Sequence, residues 1–126
     1  MKKILIADDD PNIRLYLQKN LADAGYLIVE ASDGEETMRI VREQRPDLVL
    51  LDLYMPKMHG YEVCKQIRAD PDPSIAATKI VVISVKGYAT DIKTAKEVGA
   101  NHYLVKPHSV RELMSVVERE LGPAPR

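Results

Sequence analysis

The sequence predicts a doubly wound α/β domain in which five helices cover a parallel sheet of five strands. Five short aliphatic segments are mostly continuous rather than alternating, which is typical of strands covered on both faces. Segments of helical periodicity separate them, and a strand–helix unit repeated five times requires right-handed crossovers. The length of 126 residues corresponds to a single domain with a sizeable core.

The five predicted strands are rich in Ile, Val and Leu. They span residues 3–7, 26–31, 47–53, 79–85 and 102–105. The first consists of a short aliphatic run that follows two lysines and precedes three aspartates. This run is too short for the core of a secretory signal or for a membrane span, and a buried strand is the better interpretation.

Capping residues mark where three of the predicted helices begin. Asp10 is an N-cap before Pro11, which suits the first helical position. Capping boxes of the form Ser-x-x-Glu begin the second helix and the last one. Their members are Ser32 with Glu35 and Ser109 with Glu112. Residues that interrupt a helix mark four of the predicted ends, at Gly25, Pro46, Gly99 and Gly122.

Apolar residues at helical spacing define the buried face of each helix. They are Ile13, Leu17, Leu21 and Ala24 in the first helix; Met38 and Val41 in the second; Tyr61, Cys64 and Ile67 in the third; Ile92 and Ala95 in the fourth; and Val110, Leu113, Met114, Val117 and Leu121 in the last. Segments 70–74 and 122–126 have the composition of linkers. We therefore expect a domain over residues 1–121, with residues 122–126 as a tail or the start of a linker.

The composition is that of an ordinary globular protein and excludes several classes of function. The chain has 18 Lys and Arg against 19 Asp and Glu, so a net charge of -1 offers no global attraction for nucleic acid or anionic membranes. The single cysteine, Cys64, excludes an internal disulfide framework and a cysteine-rich metal site. We expect a cytoplasmic protein whose core is aliphatic with a few tyrosines.

Chemistry-bearing residues collect at the carboxyl edge of the predicted sheet. Ligands of open α/β sheets bind at that edge, at the switch point of the strand order. The first, third, fourth and fifth strands deliver Asp8, Asp9 and Asp10; Asp52; Ser84; and Lys106 with Pro107. With Asp10 used as the helix cap, three carboxylates, a hydroxyl and a lysine would then share one rim.

The acids at this rim require a counter-charge if all are ionised, because crowded carboxylates repel one another. Mg²⁺ suits such a site, since it prefers a few carboxylates together with water and phosphate oxygens. Asp8 and Asp9 alone are interpreted equally well as solvated turn residues, and Asp10 as a helix cap. Asp52 differs because it directly follows an apolar run, where an unused carboxylate costs desolvation.

The set of residues is more specific than any of its members. Taken alone, Lys106 would be read as a surface lysine and Ser84 as a common strand end. Together they favour phosphoryl transfer to Asp52, because an aspartate can form an acyl phosphate as a nucleophile. Mg²⁺ and Lys106 would screen the charge of the transferring group, and a hydroxyl could donate a hydrogen bond to the product.

At three stretches the sequence resembles the receiver domain of response regulators in two-component signalling. The stretches are residues 4–10, 52–60 and 99–107, and the resemblance extends over residues 2–121. It implies a flavodoxin-like fold with strand order 2-1-3-4-5. It also implies a switch that accepts a phosphoryl group from the phosphohistidine of a histidine kinase.

The resemblance further implies a role for each matching residue. Asp52 would be the phosphoacceptor and Lys106 would contact the phosphoryl group, with a cis bond to Pro107. Asp9 and Asp52 would bind Mg²⁺ directly and Asp8 through water. The backbone carbonyl of Tyr54 would complete the ligand set. Ser84 would move toward the phosphoryl oxygen, and Tyr103 would then turn inward; the alternative for Tyr103 is a plain half-buried strand residue.

The chain departs from the usual family pattern at several positions. Ser84 and Val85 replace the common Thr-Ala pair, and the larger valine could narrow access to Asp52. His59 and His108 stand where Asp and Phe are common, and we interpret both as surface or loop residues. Tyr54 and Lys86 lie two residues after Asp52 and Ser84. In the family, residues at these two positions tune the lifetime of the phosphoryl group. We expect Tyr54 to shield Asp52 from water.

Three other classes remain as alternatives. A phosphatase of the haloacid dehalogenase class requires an Asp-x-Asp pair, but Tyr54 occupies its second position. A flavin or nucleotide binder of the same fold would place a Gly-rich loop after the first strand, where this chain has Asp-Asp-Asp-Pro. A pseudo-receiver that only binds partners is disfavoured by the intact site residues, although Val85 leaves it open.

The chain contains no DNA-binding module or effector enzyme, so output is expected to pass through a surface. The usual surface of the family is formed by the fourth helix, the fifth strand and the last helix. Its charged residues here are Lys93, Lys96, Glu97, Arg111 and Glu112, which also suit an ordinary solvated face. We expect a kinase or phosphotransfer partner and an unknown output protein or domain. Asn101 and His102 replace paired acids, which favours a monomer or a weak phosphorylation-dependent dimer.

Overall fold

The computed structural model describes residues 1–84, 89–106 and 108–126, and a parallel five-stranded sheet forms its centre. The strands are β1 (Lys3–Ala7), β2 (Leu27–Ala31), β3 (Leu48–Asp52), β4 (Lys79–Ser84) and β5 (His102–Val105). Their order is β2-β1-β3-β4-β5. This confirms the predicted fold class and strand order.

Two of the strands are shorter than predicted. Tyr26 lies outside β2 because its backbone N–H donates to the carbonyl of Leu21 at the end of the preceding helix. Asp47 lies outside β3, and its carboxylate accepts a hydrogen bond from the backbone N–H of Lys3 at 2.8 Å. Each residue therefore precedes its strand and links the start of that strand to a neighbouring element by a hydrogen bond.

Helices cover the sheet on both faces. They are α1 (Pro11–Asp23), α2 (Gly34–Gln44), α3 (Gly60–Arg68), α4 (Pro73–Ala76), α5 (Ala89–Glu97) and α6 (Val110–Leu121). The prediction of five helices was wrong by one, since the part of the chain that the structure describes includes the single turn α4. None of these described helices is both long enough and apolar enough to cross a membrane.

Helix α4 begins inside segment 70–74, which has the composition of a linker, and extends two residues beyond it. The carboxylate of Asp72 accepts a hydrogen bond from the N–H of Ser74 at 2.9 Å, and Pro73 occupies the first helical position. Ile75 then reaches the core, where it is 5% exposed. A cap, a proline and one buried side chain are enough to order a turn that sequence periodicity cannot reveal.

The core is divided into two layers by the sheet. Successive residues of β1 point to opposite faces, so that Ile4 and Ile6 belong to one layer and Leu5 and Ala7 to the other. The first layer is covered by α1 and α6, and the second by α2, α3 and α5. Burial on both faces explains why the three central strands, β1, β3 and β4, are mostly aliphatic.

The caps of the helices were predicted with one error. Asp10 caps α1 and Ser109 with Glu112 forms a capping box at α6, as predicted. The predicted Ser32 box was displaced by one residue. Asp33 caps α2 and accepts from the N–H of Glu36 at 2.8 Å, while the Glu36 carboxylate accepts from the N–H of Ser32 at 2.8 Å.

The last residues of the chain pack against the end of α1. The N–H of Arg126 donates to the carbonyl of Ala24 at 3.0 Å, and Ala124 packs against the α1–α6 layer. Pro125 lies over Gly25, where an added Cβ would come within 2.7 Å of the Pro125 Cβ. The division of the chain after residue 121 stays a prediction.

The contact at Gly25 gives a stability prediction. Gly25 has φ 101 and Gly122 has φ 84, so alanine is strained at both positions, but only Gly25 has a neighbour within 4 Å of the new Cβ. We expect Gly25→Ala to cost about 1–2 kcal/mol and Gly122→Ala about 1 kcal/mol, measured by urea denaturation. Truncation after Gly122 should remove the difference. Equal costs in the full chain would contradict the packing contribution.

Candidate functional site

Three carboxylates meet at the carboxyl edge of the sheet between β1 and β3. Asp8 and Asp9 directly follow β1, and Asp52 is the last residue of β3, which pairs with β1 in parallel register. The ligating oxygens of all three lie within 4.8 Å of one another. Asp8 is 3% exposed and Asp52 8% exposed, whereas Asp9 faces solvent. The site is thus a buried acidic pair with one accessible acid at its mouth.

Three hydrogen bonds hold the backbone and the carboxylate of Asp8 in place. One carboxylate oxygen accepts from the N–H of Asp10 at 2.9 Å, and the Asp8 N–H donates to the carbonyl of Ala31 on β2 at 3.1 Å. Its carbonyl accepts from the guanidinium of Arg14 at 2.6 Å. The turn from β1 into α1 therefore fixes the direction of the Asp8 carboxylate.

Lys106 provides the positive charge opposite the acids. Its ammonium donates to Asp8 Oδ2 at 2.9 Å and lies 3.9 Å from Asp52 Oδ1. Its backbone N–H donates to the carbonyl of Ser84 at 2.7 Å, which ties the end of β5 to the end of β4. Only 12% of the Lys106 side chain is exposed, so the ion pair with Asp8 is largely shielded from water.

The environment raises the pKa of Asp52 to about 6. Burial is the largest cause, followed by the negative charge of Asp8, and Asp9 adds a smaller contribution. Lys106 and the N–H of Tyr54, which lies 3.5 Å from Asp52 Oδ1, act in the opposite direction. Among the described residues, the one ammonium close to the three carboxylates is thus insufficient to balance them, and the site favours the entry of further positive charge.

The donor set fits a hard divalent cation. Carboxylate oxygens from two separate segments converge on one point, and oxygen donors of this kind are those that Mg²⁺ prefers. The exposed carboxylate of Asp9 leaves an open side through which an ion and its waters could enter.

The segment after β3 is folded back over the strand by Gly60. The Gly60 N–H donates to the carbonyl of Leu53 at 2.9 Å, and an added Cβ would lie 2.5 Å from the carbonyl oxygen of Asp52. Lys57 has φ 68 within the same segment, and Met55 is 3% exposed. Residues 53–60 therefore form a closed loop anchored beside Asp52.

Other residues that the sequence predicted to act here lie close to this edge. Ser84 ends β4 and is fully buried, and Tyr103 is a half-buried residue of β5 that packs against the core layer of α2, α3 and α5. Tyr54 is 40% exposed. The roles assigned to these three residues stay predictions.

Several sequence predictions concern residues outside the described part of the chain. They are the narrowing by Val85, the tuning by Lys86 and the cis bond to Pro107. His59 is exposed, as predicted. His108 lies in the loop before α6, but it is half-buried and its Nδ1 is a buried atom without a hydrogen-bond partner among the described residues.

Arg14 is a further residue of this site that the sequence motifs do not predict. This residue lies in the first turn of α1, and besides Asp8 it contacts the carboxylate of Glu30 at 3.4 Å. The position of Arg14 could have been predicted from the sequence. A helix that starts at Pro11 places residue 14 one turn from its cap, on the side that faces the strand ends. The ion pair with Glu30 depends on the parallel pairing of β1 and β2, which the sequence does not display.

Together, the fold and the site define a class of protein. The strand order reverses direction between β1 and β3, which makes this edge the topological switch point of a doubly wound sheet. An acidic cluster that could hold a cation, with a facing lysine, occupies that point. The class is therefore a flavodoxin-like α/β domain whose binding site is acidic and suited to a cation and a phosphoryl group.

The family model of the response regulator receiver domain matches residues 4–118. The chain belongs to this family, whose general function is that of a phosphorylation-dependent switch in two-component signalling. This confirms the resemblance drawn from the three sequence stretches.

Individual relatives and solved structures agree with this assignment. The chain is 43% identical over 112 residues to the "Probable transcriptional regulator ycf27" of Guillardia theta, covering 89% of this chain and 42% of the relative. The chemotaxis protein CheY4 of Vibrio cholerae superposes with a TM-score of 0.88 at 32% identity, covering 95% of this chain and 98% of that one. The chain spans about half the length of the curated relatives it matches.

A third comparison concerns the acidic site. The receiver domain of sensor histidine kinase PA1611 from Pseudomonas aeruginosa has a TM-score of 0.87 at 27% identity, covering 96% of this chain and 98% of that one. That structure has a magnesium ion coordinated in its active site cleft.

Proposed function

We propose that Asp52 accepts a phosphoryl group from the phosphohistidine of a histidine kinase or phosphotransfer protein. The observation that carries this proposal is the position of Asp52 at the switch point, 3.9 Å from Lys106 and within 4.8 Å of two further acids. A carboxylate with a pKa of about 6 is largely ionised at neutral pH and is more basic than an ordinary aspartate. Such a group suits attack on phosphorus.

The transfer requires one bond to form and one to break. An oxygen of Asp52 attacks the phosphorus, the nitrogen–phosphorus bond of the donor breaks, and the imidazole leaves with the electron pair and takes up a proton. Lys106 is placed to pair with the transferred group, and Ser84 at the neighbouring strand end could donate a hydrogen bond to it. The domain would thereby catalyse its own phosphorylation and its slow dephosphorylation.

The acidic residues would hold Mg²⁺ during this reaction. Asp9 and Asp52 would be direct ligands, Asp8 would act through water, and the carbonyl of Tyr54 would contribute a further oxygen. The ion supplies positive charge that screens the transferring group. The clustered oxygens and the raised pKa of Asp52 support this assignment, and the magnesium ion in the related kinase receiver agrees with it.

Phosphorylation would be transmitted to the surface formed by α5, β5 and α6. Ser84 and Tyr103 would move together, and Tyr103 belongs to the wall of a groove of about 290 Å³ between α5 and β5. Because the tyrosine lines this groove, an inward rotation would reshape it. This supports a route from the acceptor to a partner-binding surface.

Partners and location are part of the same proposal. A cytoplasmic kinase would supply the phosphoryl group, and the reshaped surface would control an output protein or domain. Relatives of greater length are named transcriptional regulators, so a DNA-binding output is one form that the whole protein could take. The net charge of -1 over the 126 residues favours control of such an output over direct nucleic-acid binding by this chain.

Incubation with acetyl phosphate and Mg²⁺, followed by intact-mass measurement, tests the proposal. We expect a gain of one phosphoryl group that is lost in Asp52→Ala and in EDTA. Asp10→Asn is the matched control, since Asp10 is the neighbouring acid that caps α1, and it should retain the gain. No gain even with a phosphorylated kinase donor, or a gain that persists in Asp52→Ala, would overturn the proposal.

A further inference from the structure

The loop that follows the acceptor aspartate carries two aromatic rings in contact. The rings of Tyr54 and His59 have centroids 6.2 Å apart and planes inclined by 87°, an edge-to-face pair. This geometry lies within the range that favours aromatic pairs. Both residues are exposed, and Tyr54 is 40% exposed. The pair therefore lies at the surface beside the opening of the acidic site.

The closed loop brings these rings together. The hydrogen bond from Gly60 N–H to the Leu53 carbonyl joins the residues that flank positions 54 and 59. Gly60 also packs directly on the Asp52 carbonyl, so the base of the loop cannot shift without moving the strand end. The two rings therefore meet edge-to-face from opposite ends of the loop.

His59 is not used as a helix cap, although it occupies the N-cap position of α3. Its side chain makes no capping hydrogen bond, whereas the aspartate or serine N-caps of α1, α2, α4 and α6 each do. The imidazole is instead directed at Tyr54. Tyr54 in turn is joined to the acceptor, since its N–H lies 3.5 Å from Asp52 Oδ1.

We infer that His59 is a positioning residue for Tyr54 and thereby sets the lifetime of the Asp52 acyl phosphate. This inference rests on the proposed phosphorylation of Asp52. In the hydrolysis at issue, a water oxygen attacks phosphorus and the bond from phosphorus to the Asp52 oxygen breaks, with its electron pair returning to the carboxylate. Inorganic phosphate then leaves with both hydrogens of the water. The edge-to-face contact keeps the Tyr54 ring at the mouth of the site, where it obstructs the approach of that water.

The inference is tested by the rate at which phosphate is lost. The protein is phosphorylated with acetyl phosphate and Mg²⁺, the donor is removed, and the remaining phosphoprotein is followed by intact mass. We expect His59→Ala to shorten the lifetime about threefold to tenfold, the range that loss of one aromatic pair allows. His59→Phe should restore the lifetime because it keeps the ring. Lys65→Ala, an exposed position of α3, should leave it unchanged.

A double-mutant cycle separates positioning from a direct effect of His59. If His59 acts through Tyr54, then adding His59→Ala to Tyr54→Ala should change the lifetime no further. An unchanged lifetime in His59→Ala would overturn the inference while leaving phosphorylation of Asp52 intact. An equal effect of His59→Ala with and without Tyr54 would also overturn it. Failure of the wild-type protein to acquire phosphate on Asp52 would overturn both this inference and the proposed function.

Discussion

Replacement of Lys106 by methionine should destabilise the metal-free protein by about 3 kcal/mol at neutral pH. The Lys106 ammonium is the cation 2.9 Å from the buried carboxylate of Asp8 and 3.9 Å from that of Asp52. Removing one partner of a buried ion pair leaves the other charge uncompensated, which costs about 3–5 kcal/mol. The shift should appear in urea denaturation in EDTA, and added Mg²⁺ should recover part of it by binding the folded acids.

The matched control for this variant is Lys57→Met. Lys57 is also near a carboxylate, with its ammonium 3.6 Å from Asp33, but 59% of its side chain is exposed. Exposed ion pairs contribute little, so this change should alter stability by less than about 1 kcal/mol. If Lys106→Met matched Lys57→Met and did not respond to Mg²⁺, burial of the Lys106 charge pair would not be the stabilising feature.

Replacement of Asp52 by asparagine should stabilise the metal-free protein above pH 6. The pKa of Asp52 is raised from 3.8 to about 6 in the folded protein. The folded state therefore keeps a proton that the unfolded state has released, and this contribution to stability is fully present below pH 3.8 and lost as the pH rises through 6. At neutral pH the asparagine variant should be more stable than wild type by about 2–3 kcal/mol.

Urea denaturation in EDTA at about pH 4 and about pH 7.5 measures this difference. The advantage of Asp52→Asn should be small at the lower pH and full at the higher one. Asp33→Asn provides a control of opposite sign, because the N–H of Glu36 lowers the pKa of Asp33. The stability that the ionised Asp33 carboxylate contributes to the wild-type protein should be lost as the pH falls. An advantage of Asp52→Asn that is the same at both pH values would contradict the pKa-linked origin.

The Lys106 and Asp52 variants test the same property of the site, the crowding of its carboxylates. In the part of the chain that the structure describes, three clustered acids have one close lysine, Lys106, and this arrangement lowers the stability of the metal-free state. Sites with strongly perturbed pKa values are frequently functional. The stability that the site loses in the absence of a cation is the same free energy that would favour binding of a cation.

Several features of the fold were predictable because each depends on local physics. Asp10 before Pro11 marks a helix start, since the carboxylate caps free N–H groups and proline needs no hydrogen bond there. Continuous aliphatic runs marked the buried parallel strands. The displaced cap at Asp33 shows the limit of such reasoning, because Ser32 and Asp33 are both good caps and the end of β2 decides which is used.

The sequence predicted which residues gather at the acidic site, but it did not predict which carboxylate pairs with Lys106. Parallel strands place Asp8, Asp52 and Lys106 at one edge whatever the details of packing. Whether Lys106 pairs with Asp8 or with Asp52 depends on the separation of strand ends and on side-chain direction. The shorter distance to Asp8 is therefore a property of the folded chain alone.

The sequence by itself determined the fold class, the strand order through family resemblance, and the residues that gather at the switch point. These follow from periodicity, capping and motif spacing, which are local patterns along the chain. Tertiary structure alone decided the pairing of Arg14 with Glu30, the formation of the short helix α4 and the contact between Tyr54 and His59. Each of these joins groups whose separation is set by how strands and loops pack, and contact energies of that kind leave no periodic trace in a sequence.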